Sequence, residues 1–243
     1  MRKTLILILL MGAVTGCATY MTPGAGVNVG DLSAADEDIA EIMQRKPVAP
    51  FPARLAVARA QATGYSSDTN SCYGEGRYCI VTSRDVETEE NFRRIGRLPM
   101  VADVGPLNRI LVPKQLNSIR ELRVAAAKLK TDILLVYSID TRFNVESTAI
   151  GPLALISLGF LPNQKAHVTT TASAALFDVR TGFVYGVTEY TATEQQRATI
   201  WSSHNAIEKA RLKTESASFE GLLGQLEVLW KQVVEAHAAT AGS

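Results

Sequence analysis

The side chains whose types could carry chemistry are few: Cys17, Cys72 and Cys79, the histidines His167, His204 and His237, and the charged residues Asp140, Arg142, Asp178 and Arg180 at the ends of predicted strands. A thiol serves as nucleophile, metal ligand or half of a disulfide, and an imidazole moves protons or binds metal near neutral pH. The histidines fall in a Thr-rich strand, at a helix start and near the end of the last helix, and none has metal-ligand spacing. No HExxH, GxSxG elbow, Walker loop or paired Cys and His occurs, so acid-base and nucleophilic catalysis have no visible carrier. The glycines between Gly24 and Gly30 lack the preceding strand and the spacing of a phosphate-binding turn. Charged residues at strand ends are usually solvated, and the four named above are read so. The expectation is a chain with no metal and no catalysis.

Cys17 stands apart. Arg2 and Lys3 precede an apolar run from Leu5 to Met11, and small residues lead on to Val14-Thr15-Gly16-Cys17. A positive start, a short apolar core and small residues mark a secretory signal, and the run is too short for the roughly 20 residues that span a bilayer. The four residues ending at Cys17 resemble a bacterial lipobox. The resemblance implies a thioether-linked diacylglycerol on Cys17, cleavage just before it and acylation of the new N-terminus, with no other cofactor. It also implies placement at the outer membrane, facing the periplasm, because Ala18 stands where an Asp would favour inner-membrane retention. The expected organisation is a signal peptide over 1–16, a flexible tether over 17–30 and a single α/β domain over 31–243.

With Cys17 committed to lipid, Cys72 and Cys79 remain as an even pair in an export pathway that permits disulfides. They are predicted to bond to each other, since two sulfurs without a nearby His or second Cys pair make a poor zinc cage. Cleavage before Cys17 leaves 23 basic against 24 acidic residues, which gives no basis for a nucleic-acid partner. An apolar content of 47% can fill a real core.

The elements follow from periodicity. A short helix capped by Asp31 or Ser33 puts Ile39, Ile42 and Met43 on one face, and Pro47, Pro50 and Pro52 end it. Ala53 to Gln61 reads as a strand with Leu55 and Val57 set against Arg54 and Arg59, and a polar loop from Gly64 to Tyr78 carries the cysteine pair. Glu87 to Arg97 reads as a helix whose Glu89 and Glu90 pair with Arg93 and Arg94 four residues on, on a solvated face. Met100 to Val104 is a second strand. Ser118 and Glu121 have capping-box spacing ahead of a helix that buries Ile119, Leu122, Ala126 and Leu129. Ile133 to Tyr137 is continuously apolar, as in a strand covered on both faces. Lys165 to Phe177 and Phe183 to Thr193 alternate around a turn at Gly182 and read as an antiparallel hairpin. Two helices close the chain, one from Ser203 or Asn205 to Leu212 and a longer one from Ser216 that buries Phe219, Leu222, Leu223, Leu226, Trp230, Val233 and Val234. The fold class is α+β (mixed α/β): a small mixed sheet with a C-terminal antiparallel hairpin, covered by helices including a long C-terminal one.

Ser147 to Gln164 contains no charged residue, and Gly151, Pro152, Gly159 and Pro162 interrupt it. It reads as a buried connection, as an apolar surface through Leu153, Leu155, Ile156, Leu158 and Phe160, or as a pore-forming hairpin. The step from Ala125 to Val136 and the turn from Ala175 to Tyr185 resemble periplasmic lipoproteins of the curli-secretion type, the penicillin-binding-protein activator type and the TolB N-terminal domain. That resemblance implies an envelope docking module with a protein partner, and with homo-oligomers in view. Two other readings stay open: an oligomeric secretion-channel component, and an enzyme with scattered catalytic residues.

Overall fold

The computed structural model describes residues 26–28, 30, 39–67, 71–147, 164–198 and 203–238, with the backbone alone at 144–147, 164–166, 195–198 and 203–207. The apolar run at Ile133 to Tyr137 lies in the middle of a six-stranded mixed sheet, as the start of β6 (Ile133–Ser147). Ile133, Leu135, Tyr137 and Ile139 point into one core layer, Leu134 and Val136 into the other. β6 runs parallel to β1 (Ala53–Ala62) and antiparallel to β7 (Gln164–Asp178), and β8 (Val184–Ala198) completes that side. The far edge of β1 is shared. β3 (Tyr78–Val81) pairs antiparallel with Arg59 to Ala62, and β4 (Val101–Pro106) pairs parallel with Ala53 to Val57. β2 (Glu75–Gly76) and β5 (Gln115–Leu116) form a separate two-residue ladder.

Four helices are described: α1 (Ile39–Gln44), α2 (Glu89–Gly96), α3 (Ile119–Lys128) and α4 (Ser203–His237). α2 and α4 cover one face of the sheet and α3 the other, so the expected α+β class is the observed one. At the start of α3 the Ser118 amide donates to Glu121 Oε2 at 3.0 Å, and the Ser118 hydroxyl accepts from the Arg120 amide. Ile119, Leu122, Ala125 and Ala126 then pack on Ala56, Ala58 and Ala60 of β1, small residues that let a helix come close. Leu129, expected on the buried face, follows the last turn of the helix and is 39% exposed.

Three expectations need correcting. The C-terminal segment is one helix of 35 residues, not two. Between the two expected helices the chain stays helical: Thr214 Oγ1 donates to the Ala210 carbonyl and Ser218 Oγ to that of Glu215, so the hydroxyls fold back onto the helix itself. α2 starts at Glu89 behind a Thr88 cap, and its pairings differ from the spacing rule. Glu90 takes Arg93 and Arg97, while Arg94 reaches across to Glu220 and Glu227 of α4. Arg59 does not alternate outward with Arg54. It shares the face of Leu55 and Val57 and is buried.

The hairpin of β7 and β8 is present, with Gly182 at φ 75° in its turn. β6 joins it to make three strands of 15 residues each. Ser147 and Gln164 face each other across the last rung of β6 and β7, and the apolar stretch between them, including Leu153, Leu155, Ile156, Leu158 and Phe160, lies outside the described residues. So do Cys17 and most of the expected tether. α1 leaves Ile39 and Met43 exposed. Gly26 forms an isolated bridge with Gln61, and Ser138 Oγ donates to the Val27 carbonyl at 3.2 Å. Val27 packs against the α3-side core, so the chain enters the domain on that side.

Candidate functional site

The densest polar cluster lies between α4 and the sheet. Arg59 Nη1 lies 3.2 Å from Asp85 Oδ1 and 3.1 Å from Glu87 Oε1, and its Nη2 donates to the Tyr65 hydroxyl at 3.0 Å. Arg211 of α4 donates to Glu215 Oε2 at 2.7 Å and to Asp85 Oδ2 at 3.3 Å, and pairs with Glu208 at 2.6 Å. Tyr137 of β6 donates to Glu87, and Thr141 of β6 to Glu215. Burial opposes the charge on Arg59, but Glu87, Tyr65 and Glu215 outweigh it and hold the pKa above the usual guanidinium value. Burial pushes Glu215 up, against the pull of Arg59 and Arg211. It also pushes the Tyr137 hydroxyl well up, with the Glu87 carboxylate adding to the effect.

These groups have the types that acid-base chemistry uses, yet the arrangement is closed. The side chains of Arg59, Glu87, Arg211 and Glu215 are at most 1% exposed. Arg59 Nε and Glu87 Oε2 have no partner among the described residues, and both residues line a cavity of about 30 Å3. That is the space of a single water, too small for a substrate. The cluster therefore fastens α4 to β1, β6 and the 85–87 loop. Sequence reading missed it, although two signals were present: Arg59 has the parity of Leu55 and Val57, and Arg211 and Glu215 continue the stripe of Phe219, Leu222 and Leu226 backward by fours.

The four charged residues expected at strand ends do not converge. Asp140 lies within β6, which continues seven residues beyond it, and pairs with Arg142 at 3.5 Å. Arg180 approaches Asp132 at 4.0 Å. Asp178, expected to be solvated, is fully buried. Its Oδ2 accepts from the Val48 and Ala49 amides and the Tyr185 hydroxyl, and its Oδ1 from the Arg180 and Thr181 amides. Burial favours the neutral acid, but these donors prevail and hold Asp178 below the ordinary carboxylate range. It is the pin that holds the segment before β1, at Val48 and Ala49, to the turn of β7 and β8. His237 stands beside the Phe183 and Tyr185 rings, and His167 is remote in β7.

Cys72 and Cys79 are bonded, as predicted. Cys79 is buried in β3 against Tyr65 and Val81, and Tyr73 exchanges two backbone bonds of 2.8 Å with Ile80. The disulfide thus closes the polar loop back onto the edge strand.

What remains open is the other end of the sheet. Among the described residues no strand pairs with the outer edge of β8, a row of amides and carbonyls 15 residues long. Val184, Val187 and Tyr190 are exposed along it, Val187 to 70%. On the α3 side a cleft of about 540 Å3 separates β8 from the entering chain, lined by Val27, Asn28, Ser173, Ala175, Val187 and Glu189. Farther along the same side Thr171 meets Thr191, and Thr169 meets Thr193, in an exposed hydroxyl ladder. α4 fixes β8 from behind at close range: a Cβ on Gly221 would lie 2.2 Å from the Tyr190 ring.

Neither a family model nor a curated protein matches the chain. Solved structures do. A Xanthomonas campestris protein of the DUF330 family model is 13% identical, with a TM-score of 0.38 over 79% of this chain and 92% of its own. A neuraminyllactose-binding hemagglutinin homolog from Helicobacter pylori is 9% identical, with a TM-score of 0.39 over 79% of this chain and 96% of its own. The lipoprotein GNA1162 of Neisseria meningitidis is 15% identical, with a TM-score of 0.30 over 76% of this chain and 99% of its own. The likeness is coarse and specifies no activity. Among the described residues no helix is long and apolar enough to cross a membrane, and no cluster of His, Cys, Asp or Glu could hold a metal.

Proposed function

We propose that this chain is a lipid-anchored envelope protein, held through Cys17 at the outer membrane and facing the periplasm, whose α+β domain binds a protein partner and performs no reaction. The observation that carries this reading is the outer edge of β8, with which no strand pairs among the described residues. An edge strand of 15 residues offers main-chain hydrogen bonds to an extended segment of another protein, and the side chains at Val184, Val187 and Tyr190 give that segment apolar contacts. Natural edges of this length are normally blunted or covered. The closed state of the Arg59 and Glu215 cluster supports the absence of catalysis, since its reactive types have no room for substrate.

A photo-crosslinking residue at Val187, with a control at Glu235 on the outer side of α4, tests the docking edge in intact cells. A defined protein captured at position 187 and not at 235 is the expected result. Capture of a second copy of this chain would turn the reading to self-assembly through the same edge, and equal capture at both positions would sink it. Membrane fractionation of Cys17→Ala tests the anchor: the variant is expected in the soluble fraction, and an unchanged membrane fraction would refute lipidation.

A further inference from the structure

The α3 side of the domain carries a second feature that partner binding at β8 does not use. Arg109, Arg120, Lys128 and Lys130 are exposed there, and among the described residues none of them forms an ion pair. Lys128 only reaches the Leu111 carbonyl, at 3.4 Å. The acids nearest these cations have other partners: Glu121, which also lines the groove beside Arg120, caps α3, Glu75 holds Lys114 at 2.6 Å, and Asp132 accepts from the Arg54 amide, while Glu189 stands apart in the cleft beside β8. The opposite face is different, because Arg93, Arg94, Arg97 and Lys213 all pair with carboxylates of α2, α4 or β8. Lys209 of α4 is exposed and makes no ion pair among the described residues, so the unpaired cations are concentrated on the α3 side, four against one.

Apolar groups stand among these cations. Ile110 is 85% exposed at the tip of the turn before β5, and Val124 of α3 is 41% exposed. Between them runs a groove of about 390 Å3, with Arg120 and Lys128 on its rim. A lone aliphatic prong ringed by unpaired Lys and Arg suits a bilayer surface, where the prong enters the headgroup boundary and the cations lie over anionic lipid. The route of the chain agrees. Val27 packs against the α3-side core, and Cys17 lies nine positions before Gly26, a reach of about 30 Å at full extension.

We infer that the α3 side rests on the membrane to which the chain is anchored, with Ile110 directed into the headgroup boundary and Arg109, Arg120, Lys128 and Lys130 over anionic phospholipid. This orientation rests on the lipid-anchor reading of Cys17. It leaves the outer edge of β8 and the α4 face turned to the periplasm for a protein partner.

The test uses the full-length lipidated protein in vesicles of phosphatidylethanolamine with phosphatidylglycerol, and in vesicles of phosphatidylcholine alone. A fluorophore is placed on Ile110→Cys or on Lys231→Cys, and quenching by nitroxide-labelled lipid is read. The orientation predicts quenching several-fold stronger at 110 than at 231 in the anionic vesicles. The contrast should shrink in phosphatidylcholine and vanish in the combined variant Arg109→Glu, Arg120→Glu, Lys128→Glu. Equal quenching at the two positions, or a contrast that survives the charge reversal, overturns it. Photo-crosslinking from position 110 in cells that yields an acidic protein instead of lipid also overturns it. Flotation separates the two readings: protein that floats without the contrast refutes the orientation alone, and protein that fails to float refutes the anchor and the orientation with it.

Discussion

The two faces of the sheet are built on opposite principles. Under α4 a set of polar groups is drawn inward: Arg59, Asp85, Glu87, Arg211 and Glu215 interlock in a buried layer continuous with Phe219, Leu222 and Trp230. Under α3 the interior is mainly apolar, with hydroxyls of Ser138 and Tyr78 bonded to backbone carbonyls, and Arg109, Arg120, Lys128 and Lys130 stand outside without an ion pair among the described residues. A buried network demands that each member be matched, so it fixes one arrangement of helix against sheet. An apolar layer with a charged exterior leaves its outer surface free to meet something else. Rigidity on one side and availability on the other suit a module that must hold β8 in place while touching two neighbours.

The comparison is broken most severely by removing a buried charge. Arg59→Ala takes the guanidinium from buried Glu87 while Asp85 keeps Arg211, and a buried pair that loses one partner typically costs about 3–5 kcal/mol. Urea unfolding should show the loss, and a change under about 1 kcal/mol would mean that the cluster is hydrated and not structural. The disulfide comes next. Replacing Cys72 and Cys79 by Ser reopens a loop with a sequence separation of 7, for which chain entropy predicts about 2–3 kcal/mol. The loss should appear equally in wild-type protein unfolded under reducing conditions.

Asp178 gives the third test, through pH. Its pKa in the fold lies below the unfolded value of roughly 4, so its contribution to stability is complete above that value and is lost as pH falls through the folded pKa. Asp178→Asn keeps the size but turns an amide toward backbone N–H donors, at a cost of about 1–3 kcal/mol near neutrality. The gap between wild type and variant should hold constant at neutral pH and narrow on acidification. A gap independent of pH would show that the carboxylate charge is not what the donors recognise.

How far the sequence announced all this depends on whether the signal was local. The capping box at Ser118, the two-sided strand at Ile133 and the turn at Gly182 are each contained in a few residues, and each is present. The buried stripe of α4 was legible for the same reason, down to Trp230 and Val233. The charged layer was not, because Arg59, Glu87 and Arg211 become partners only when three distant segments meet, and each alone resembles a solvated charge. Asp178 was misread in the same way: its ligands Val48 and Ala49 lie 130 and 129 residues away. The edge of β8 is the inverse case, since no local pattern reveals that a strand is last in its sheet.

The smallest expected effect is the one that separates the faces most cleanly. Arg120→Ala, Lys128→Ala and Ile110→Ser each remove an exposed group that makes no ion pair or core contact, so each should leave folding stability within about 0.5 kcal/mol. The same three positions are the ones on which a bilayer would act. A variant carrying all three changes should unfold at the wild-type urea midpoint and yet lose its preference for anionic vesicles. Should its stability drop by more than about 2 kcal/mol, the α3 side would be holding the fold together as the α4 side does, and the division between a locked face and an available one would fail.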